Sequence, residues 1–341
     1  MKIFRQLNIG SHRLANFMVG VSQILVVVLL VAGGCTKPAS DSGSSQNPNS
    51  VKPIRVVATV GMVADLVREI GGDSVSVRQL MGSGVDPHLY KATRDDVIAL
   101  MDAEMVFYSG LMLEGKMGEL LNKTSDKQVR TAVTRAIPKD KLFSDEGSEH
   151  YDPHVWMDVS LWTVAAGEVA KELSLFRPAD KDKFAERFQA LSKKLESLDA
   201  YGRKVMATIP ESKRVLITSH DAFRYFGRRY GIEVQGIQGI STDSEAGLQR
   251  IGELVNSIVS RKIEAVFVES SVPQDSIQAL VQGAASRGFT VKIGGELFSD
   301  AMGKSGTYQG TYVGMLDHNL TLVAKSLGGV APEKGFAGET P

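Results

Sequence analysis

Six histidines are spread over 341 residues, and three of them stand in settings that suit a metal ion. His88 and His154 close two copies of one tripeptide, Asp86-Pro87-His88 and Asp152-Pro153-His154, and His220 stands in Ser219-His220-Asp221. Neutral imidazole is the commonest ligand of first-row metals, and its second ring nitrogen needs a carboxylate or carbonyl to fix the tautomer. Each of these histidines has an aspartate within two residues. Proline fixes its own φ and pushes the preceding residue out of helix, so both tripeptides are expected in stiff loops. As plain turns they need no metal, since Asp favours turn starts and Pro the next position. The three histidines follow one another at steps of 66 residues, far beyond the gaps of a zinc finger or a helix-borne H-E-x-x-H. A site made from them must be assembled by the whole fold.

The elements that would assemble it follow α/β grammar. Strands are expected at 54–60, 75–80 and 104–109, with helices at 62–70, 93–102, 115–123 and 160–173. The second half repeats the scheme: strands at 214–219, 232–237, 265–269 and 290–293, helices at 222–230, 244–260 and 273–287. Between the halves Phe184, Phe188, Leu191, Leu195, Leu198, Tyr201 and Val205 recur at three- and four-residue steps, which predicts one long helix over 178–208 with a single apolar stripe. The expectation is two α/β lobes, each a mostly parallel sheet flanked by helices, joined by that helix. The histidines fall at strand ends and helix starts, where open α/β sheets bind ligands. Two come from the first lobe and one from the second, so the metal belongs in the cleft between them. A fourth ligand is then expected from the second lobe, and the segment after strand 290–293 offers Glu296 and Asp300 without choosing between them.

The N-terminus sets the compartment. Lys2, Arg5 and Arg13 precede an apolar stretch ending in Ala32-Gly33-Gly34-Cys35, a secretory layout. Cys35 is the single cysteine, so no intramolecular disulfide forms, and the small residues before it resemble a bacterial lipobox, with Ala32 where leucine is usual. An uncleaved anchor is the rival, but Ile24 to Gly34 is short against the ~20 apolar residues of a spanning helix. Residues 36–53, rich in Ser, Pro, Asn and Gly, bury too little surface to fold and read as a tether. Basic and acidic residues balance at 39 each, and nothing favours nucleic acid, whose readers carry basic patches. Gly110 to Lys116 nearly matches a phosphate-binding loop, but Met117 stands where its hydroxyl belongs.

Taken together, both Asp-Pro-His motifs, Ile217-Thr218-Ser219-His220-Asp221-Ala222-Phe223, Phe267-Val268-Glu269-Ser270-Ser271 and Gly310-Thr311-Tyr312-Val313-Gly314-Met315 resemble the bacterial cluster A-I (TroA-like) metal-binding lipoproteins. The resemblance runs from Val56 to about Leu327. It implies capture of a divalent transition metal, zinc or manganese, and delivery to the permease of an ABC transporter driven by its ATPase. It implies the ligand set His88, His154, His220 and Asp300, with Glu296 second choice, lipidation at Cys35, and a monomer held to the cell membrane facing the periplasm or extracellular side. The implied organisation is 1–34 signal peptide, 35–53 tether, 54–175 N-terminal lobe, 176–209 linking helix, 210–330 C-terminal lobe and 331–341 disordered tail. His at the third position leans toward zinc, as does the chemistry of three imidazoles and one carboxylate.

Zinc scavengers of this family often carry a long His- and acid-rich loop before the second histidine. Here 139–151 is short, with His150 expected as an exposed loop residue among Asp145, Glu146 and Glu149; His12 lies in the leader, and His318 is expected on the surface of a C-terminal helix. Two other readings are weighed: an extracytoplasmic zinc hydrolase with Glu269 or Glu296 as base, which needs an open coordination position, and a metal-stabilised adhesin. Because imidazole must be neutral to bind metal, affinity is expected to fall as pH drops through about 6.

Overall fold

The computed structural model describes residues 52–122, 128–144, 150–244 and 247–338. The expected leader, Cys35, all but the last two tether residues, the three acidic residues beside His150 and the last three of the expected tail lie outside the described residues. Among the described residues no helix is long and apolar enough to cross a membrane.

The first lobe is a parallel sheet of β1 (Ile54–Ala58), β2 (Val75–Gln79), β3 (Met105–Tyr108) and β4 (Val129–Ala132), in the order β2-β1-β3-β4. With it go α1 (Gly61–Gly71), α2 (Arg94–Asp102), the single-turn α3 (Gly118–Leu121) and α4 (Val159–Phe176). β4 was not anticipated: Val129-Arg130-Thr131-Ala132 is too short and mixed to announce itself, and β3 supplies its ladder. The helix expected over 115–123 contracts to a 3₁₀ turn and α3, as two glycines in four residues favour.

The linking helix is α5 (Lys181–Met206), whose 26 residues span about 39 Å at 1.5 Å each. It buries Phe184, Leu191, Leu195, Leu198 and Val205, the stripe its periodicity predicts. Beyond it, β5 (Val215–Thr218) pairs with β6 (Glu233–Gly236) and β7 (Ala265–Glu269) with β8 (Lys292–Leu297), all parallel, with β5 packed beside β7. α6 (Arg224–Tyr230), α7 (Leu248–Arg261), α8 (Asp275–Ser286) and α9 (Tyr312–Ser326) complete this lobe. Alternation along β5 and β7 divides two cores. Val215, Ile217, Val266 and Val268 pack with α7 and α8, while Leu216, Ala265 and Phe267 join a core continuous with α5, α9 and the first lobe. Polar ties run the same way: the Asp65 carboxylate on α1 accepts the Tyr312 N–H at the start of α9 at 2.9 Å, and the Tyr312 hydroxyl donates to the Trp156 carbonyl at 2.7 Å.

Two expectations change here. β8 runs four residues further than 293, because Gly294-Gly295 forms a bulge rather than an end: the register shifts between Val266 and Phe267, and Gly295 takes a φ of 144°. Glu296 is therefore an exposed strand residue. The stretch 331–338, expected as a disordered tail, is a run of turns. Phe336 packs on Tyr201, and the N–H groups of Phe336 and Ala337 donate to buried Asp317.

Candidate metal centre

Each Asp-Pro-His folds as a turn in which the aspartate accepts the N–H of its own histidine, at 2.8 Å for Asp86 and 3.0 Å for Asp152. The first turn follows β2. The second leads through a 3₁₀ turn into α4, where the Asp158 side chain caps the helix by accepting the Ser160 N–H. His220 follows β5, and its N–H donates to Glu269 Oε1 at the end of neighbouring β7 at 2.9 Å. Asp300 stands in the loop after β8, and its neighbour Ser299 accepts the Trp156 indole N–H from the first lobe at 2.9 Å.

These four elements bring His88, His154, His220 and Asp300 together, with one ligating atom from each inside a 4.8 Å span. His88 is 6 % exposed and the other three are sealed. His154 Nε2 lies 3.3 Å from His88 Nε2 and 3.3 Å from Asp300 Oδ1. Asp300 Oδ2 lies 3.1 Å from His220 Nε2 and 3.8 Å from His88 Nε2. A tetrahedron with metal–ligand bonds of 2.0–2.1 Å has edges of about 3.3 Å; three of these separations are close to that edge and the fourth, at 3.8 Å, exceeds it. Both Asp300 oxygens and both His220 ring nitrogens are buried without a well-aligned hydrogen bond. Orphaned polar atoms are costly in a core; His220 Nε2 and the Asp300 oxygens face one another across the centre, while His220 Nδ1 turns to Glu269.

The surrounding partners differ from the simple pattern of one nearby aspartate per ring. Asp152 Oδ1 does reach His154 Nδ1, at 2.7 Å. Asp86 contacts the His88 backbone and then Thr242, not the ring. Asp221 lies 3.9 Å from Arg224, and Glu269 takes the expected role, with Oε2 2.6 Å from His220 Nδ1. Glu269 closes the fully buried run Ala265–Glu269; a charge ending a buried strand was the available signal. Neither proposed base is poised over the centre, since Glu269 faces a ring nitrogen and Glu296 is exposed. His150 is exposed as expected. His318 is half-buried, with Nε2 2.9 Å from the Glu296 carbonyl and its ring on Phe298.

The charges around the four side chains push their proton affinities apart. Burial pushes His88 down to about 4, only partly offset by Asp300. Burial also acts downward on His154, but Asp152 and Asp300 outweigh it and raise the ring to about 9. His220 is raised well above its ordinary value, burial being overcome by Glu269 and Asp300. For Asp300 burial acts upward, yet His220 and His154 hold it well below the usual carboxylate range. The same carboxylates that raise these two rings favour a proton on each, and metal binding must displace such protons.

A family model described as zinc-uptake complex component A, periplasmic, matches residues 56–326. The chain belongs to this family. Among its relatives, the manganese-binding lipoprotein MntA of Bacillus subtilis is 45 % identical over 307 residues, covering 90 % of this chain and 98 % of that protein. The zinc-binding protein TroA of Treponema pallidum is 44 % identical over 307 residues, covering 90 % and 99 %. A solved structure of the Treponema pallidum periplasmic zinc-binding protein TroA superposes with a TM-score of 0.79 at 46 % identity, covering 81 % of this chain and 99 % of that one. Component A membership thus joins a metal-sized donor shell to a fold of two α/β lobes.

Proposed function

We propose that the protein is the extracytoplasmic solute-binding component of a metal-importing ABC transporter, and that His88, His154, His220 and Asp300 hold one zinc or manganese ion between the lobes for delivery to the permease and its ATPase. The observation that carries the reading is the convergence of four buried ligating atoms from loops of both lobes within 4.8 Å. The relatives named for zinc and for manganese are nearly equally similar. Three nitrogens favour zinc, and Asp300, with Oδ1 toward His154 and Oδ2 toward His220 and His88, is placed to give a second oxygen to a metal wanting more. The ion is cargo and the protein is not a catalyst. Four protein donors close the position a hydrolytic water would need.

The finer organisation is part of the same proposal: a leader over 1–34, lipidation at Cys35, a tether to residue 53, lobes over 54–175 and 210–330 about a linking helix over 176–209, acting as a monomer at the outer face of the cell membrane. The test is elemental analysis of residues 53–341, stripped with chelator and reloaded in equimolar zinc and manganese, beside Asp300→Ala. One ion per chain, lost in the variant, is expected. An ion retained by Asp300→Ala would overturn the ligand set, and no ion in either protein would overturn the reading.

A further inference from the structure

The two carboxylate oxygens of Asp86 serve opposite lobes. Oδ1 accepts the N–H of His88 at 2.8 Å and so shapes the turn that presents the imidazole. Oδ2 accepts the hydroxyl of Thr242 at 2.6 Å, and Thr242 belongs to the second-lobe connection between β6 and α7. The next residue, Asp243, pairs with Lys116 of the first lobe at 2.8 Å. Beside these crosslinks lies a cavity of about 350 Å³ lined by His88, Met112, Lys116, His150, Ile240 and Asp243 among others. Of the four candidate ligands, His88 alone lines it.

The two walls of this cavity are held differently. On the first lobe, Leu111 and Met112 adopt consecutive left-handed conformations, φ 53° and 67°, after Gly110 at 89°. Buried Glu114 over-determines that strained turn by accepting the N–H groups of Ser109 and Gly110 and the hydroxyl of Thr59. On the second lobe, segment 240–243 faces the first through two side-chain links, one to Asp86 and one to Lys116. This second wall is the one with least to break.

We propose that Asp86 and Thr242 form a latch that positions His88 and sets the rate at which metal leaves through this cavity, with Asp243–Lys116 a weaker second clasp. Thr242 contacts no candidate ligand directly; it is a positioning residue acting through Asp86. Resting on the proposed ligand set, the latch predicts that opening 240–243 frees the His88 turn, exposing the ligand nearest solvent while the shell itself stays intact.

The experiment is stopped-flow transfer of zinc from the full chain in detergent to an excess of chelator, with the visible spectrum of the cobalt-loaded protein as the record of coordination. Thr242→Val is expected to release zinc about tenfold faster, equivalent to about 1.4 kcal/mol, with an unchanged cobalt spectrum, and Thr242→Ser to restore the slow rate. Lys116→Ala should change the rate by only about twofold, as an exposed ion pair does. Release from Thr242→Val at the unmodified rate, or release from Thr242→Ser as fast as from the valine variant, would overturn the latch. Failure of the unmodified chain to hold one ion would instead overturn the ligand set, and the latch with it.

Discussion

The two Asp-Pro-His tripeptides are identical in sequence and share the hydrogen bond from the histidine N–H to the aspartate, yet they make two different histidines. In the second, Asp152 Oδ1 accepts the turn N–H and also lies 2.7 Å from the ring nitrogen, in a pocket with no exposure, closed by the Tyr225 hydroxyl on the Asp152 carbonyl. In the first, Asp86 spends its free oxygen on the opposite lobe, and the ring borders a solvent-connected cavity. Burial acts downward on both rings; Asp152 and Asp300 outweigh it at His154, raised to about 9, while at His88, with no carboxylate bonded to its ring, it prevails and lowers the group to about 4. A repeated motif therefore encodes the turn, and the surroundings encode the chemistry of the ring.

The harshest test of the comparison removes the clamped rings. His154→Ala and His220→Ala should each weaken zinc binding by more than about 100-fold, beyond the range seen for partners that only orient a ligand, as read by competition against a chromophoric chelator. Comparable loss in His150→Ala would mean that the ligand set is misassigned. Removing only the clamp is milder. Asp152→Asn should cost about 10–100-fold, and Asp86→Asn, whose target is a backbone turn and a threonine, less than about tenfold; equal losses would erase the distinction between the two motifs.

Proton occupancy sharpens the comparison. Nitrogen-15 spectra of the metal-free protein at pH 7 should find His154 protonated and His88 neutral. The folded-state pKa of His154 lies above the unfolded value of 6.5, so its contribution to stability is fully present below pH 6.5 and is lost as pH rises through about 9. For His88, lowered to about 4, the contribution is lost as pH falls from 6.5 toward 4. Calorimetric melting of the metal-free protein should show the high-pH decline, and Asp152→Asn should flatten it. Because metal must displace the His154 proton, affinity should keep rising from neutral pH to about 9, whereas neutral rings alone would place the change near pH 6; a plateau above pH 7 would count against the clamp. The smallest effect is expected at exposed His150, where alanine should alter affinity by no more than about twofold.

Much of this was legible beforehand. The three histidines, the long helix and most strands carry strong local signals: prolines that stiffen turns, a stripe of period 3.6, buried apolar runs. β4 was missed because its ladder comes from β3 rather than from its own residues. The end of β8 was misplaced because a Gly-Gly pair reads as a stop, while in three dimensions it is a bulge packed against Phe267 and Leu322. Asp300 could be preferred to Glu296 only through family likeness; continuation of β8 past the bulge leaves Glu296 exposed on the strand, and Asp300 is sealed in the loop that follows it.

The amino-acid sequence by itself determined the parts whose causes are local: turns that present His88 and His154, a helix long enough to join two lobes, and residue types able to bind a transition metal. Only the tertiary structure decided that Glu269 rather than Asp221 serves His220, that Asp86 belongs to Thr242, and that one of two identical motifs has its ring clamped while the other lines a cavity. The physical reason is that ring orientation, burial and proton affinity depend on groups within a few ångströms, and apart from Asp152 those groups come from strands and loops tens to hundreds of residues away along the chain.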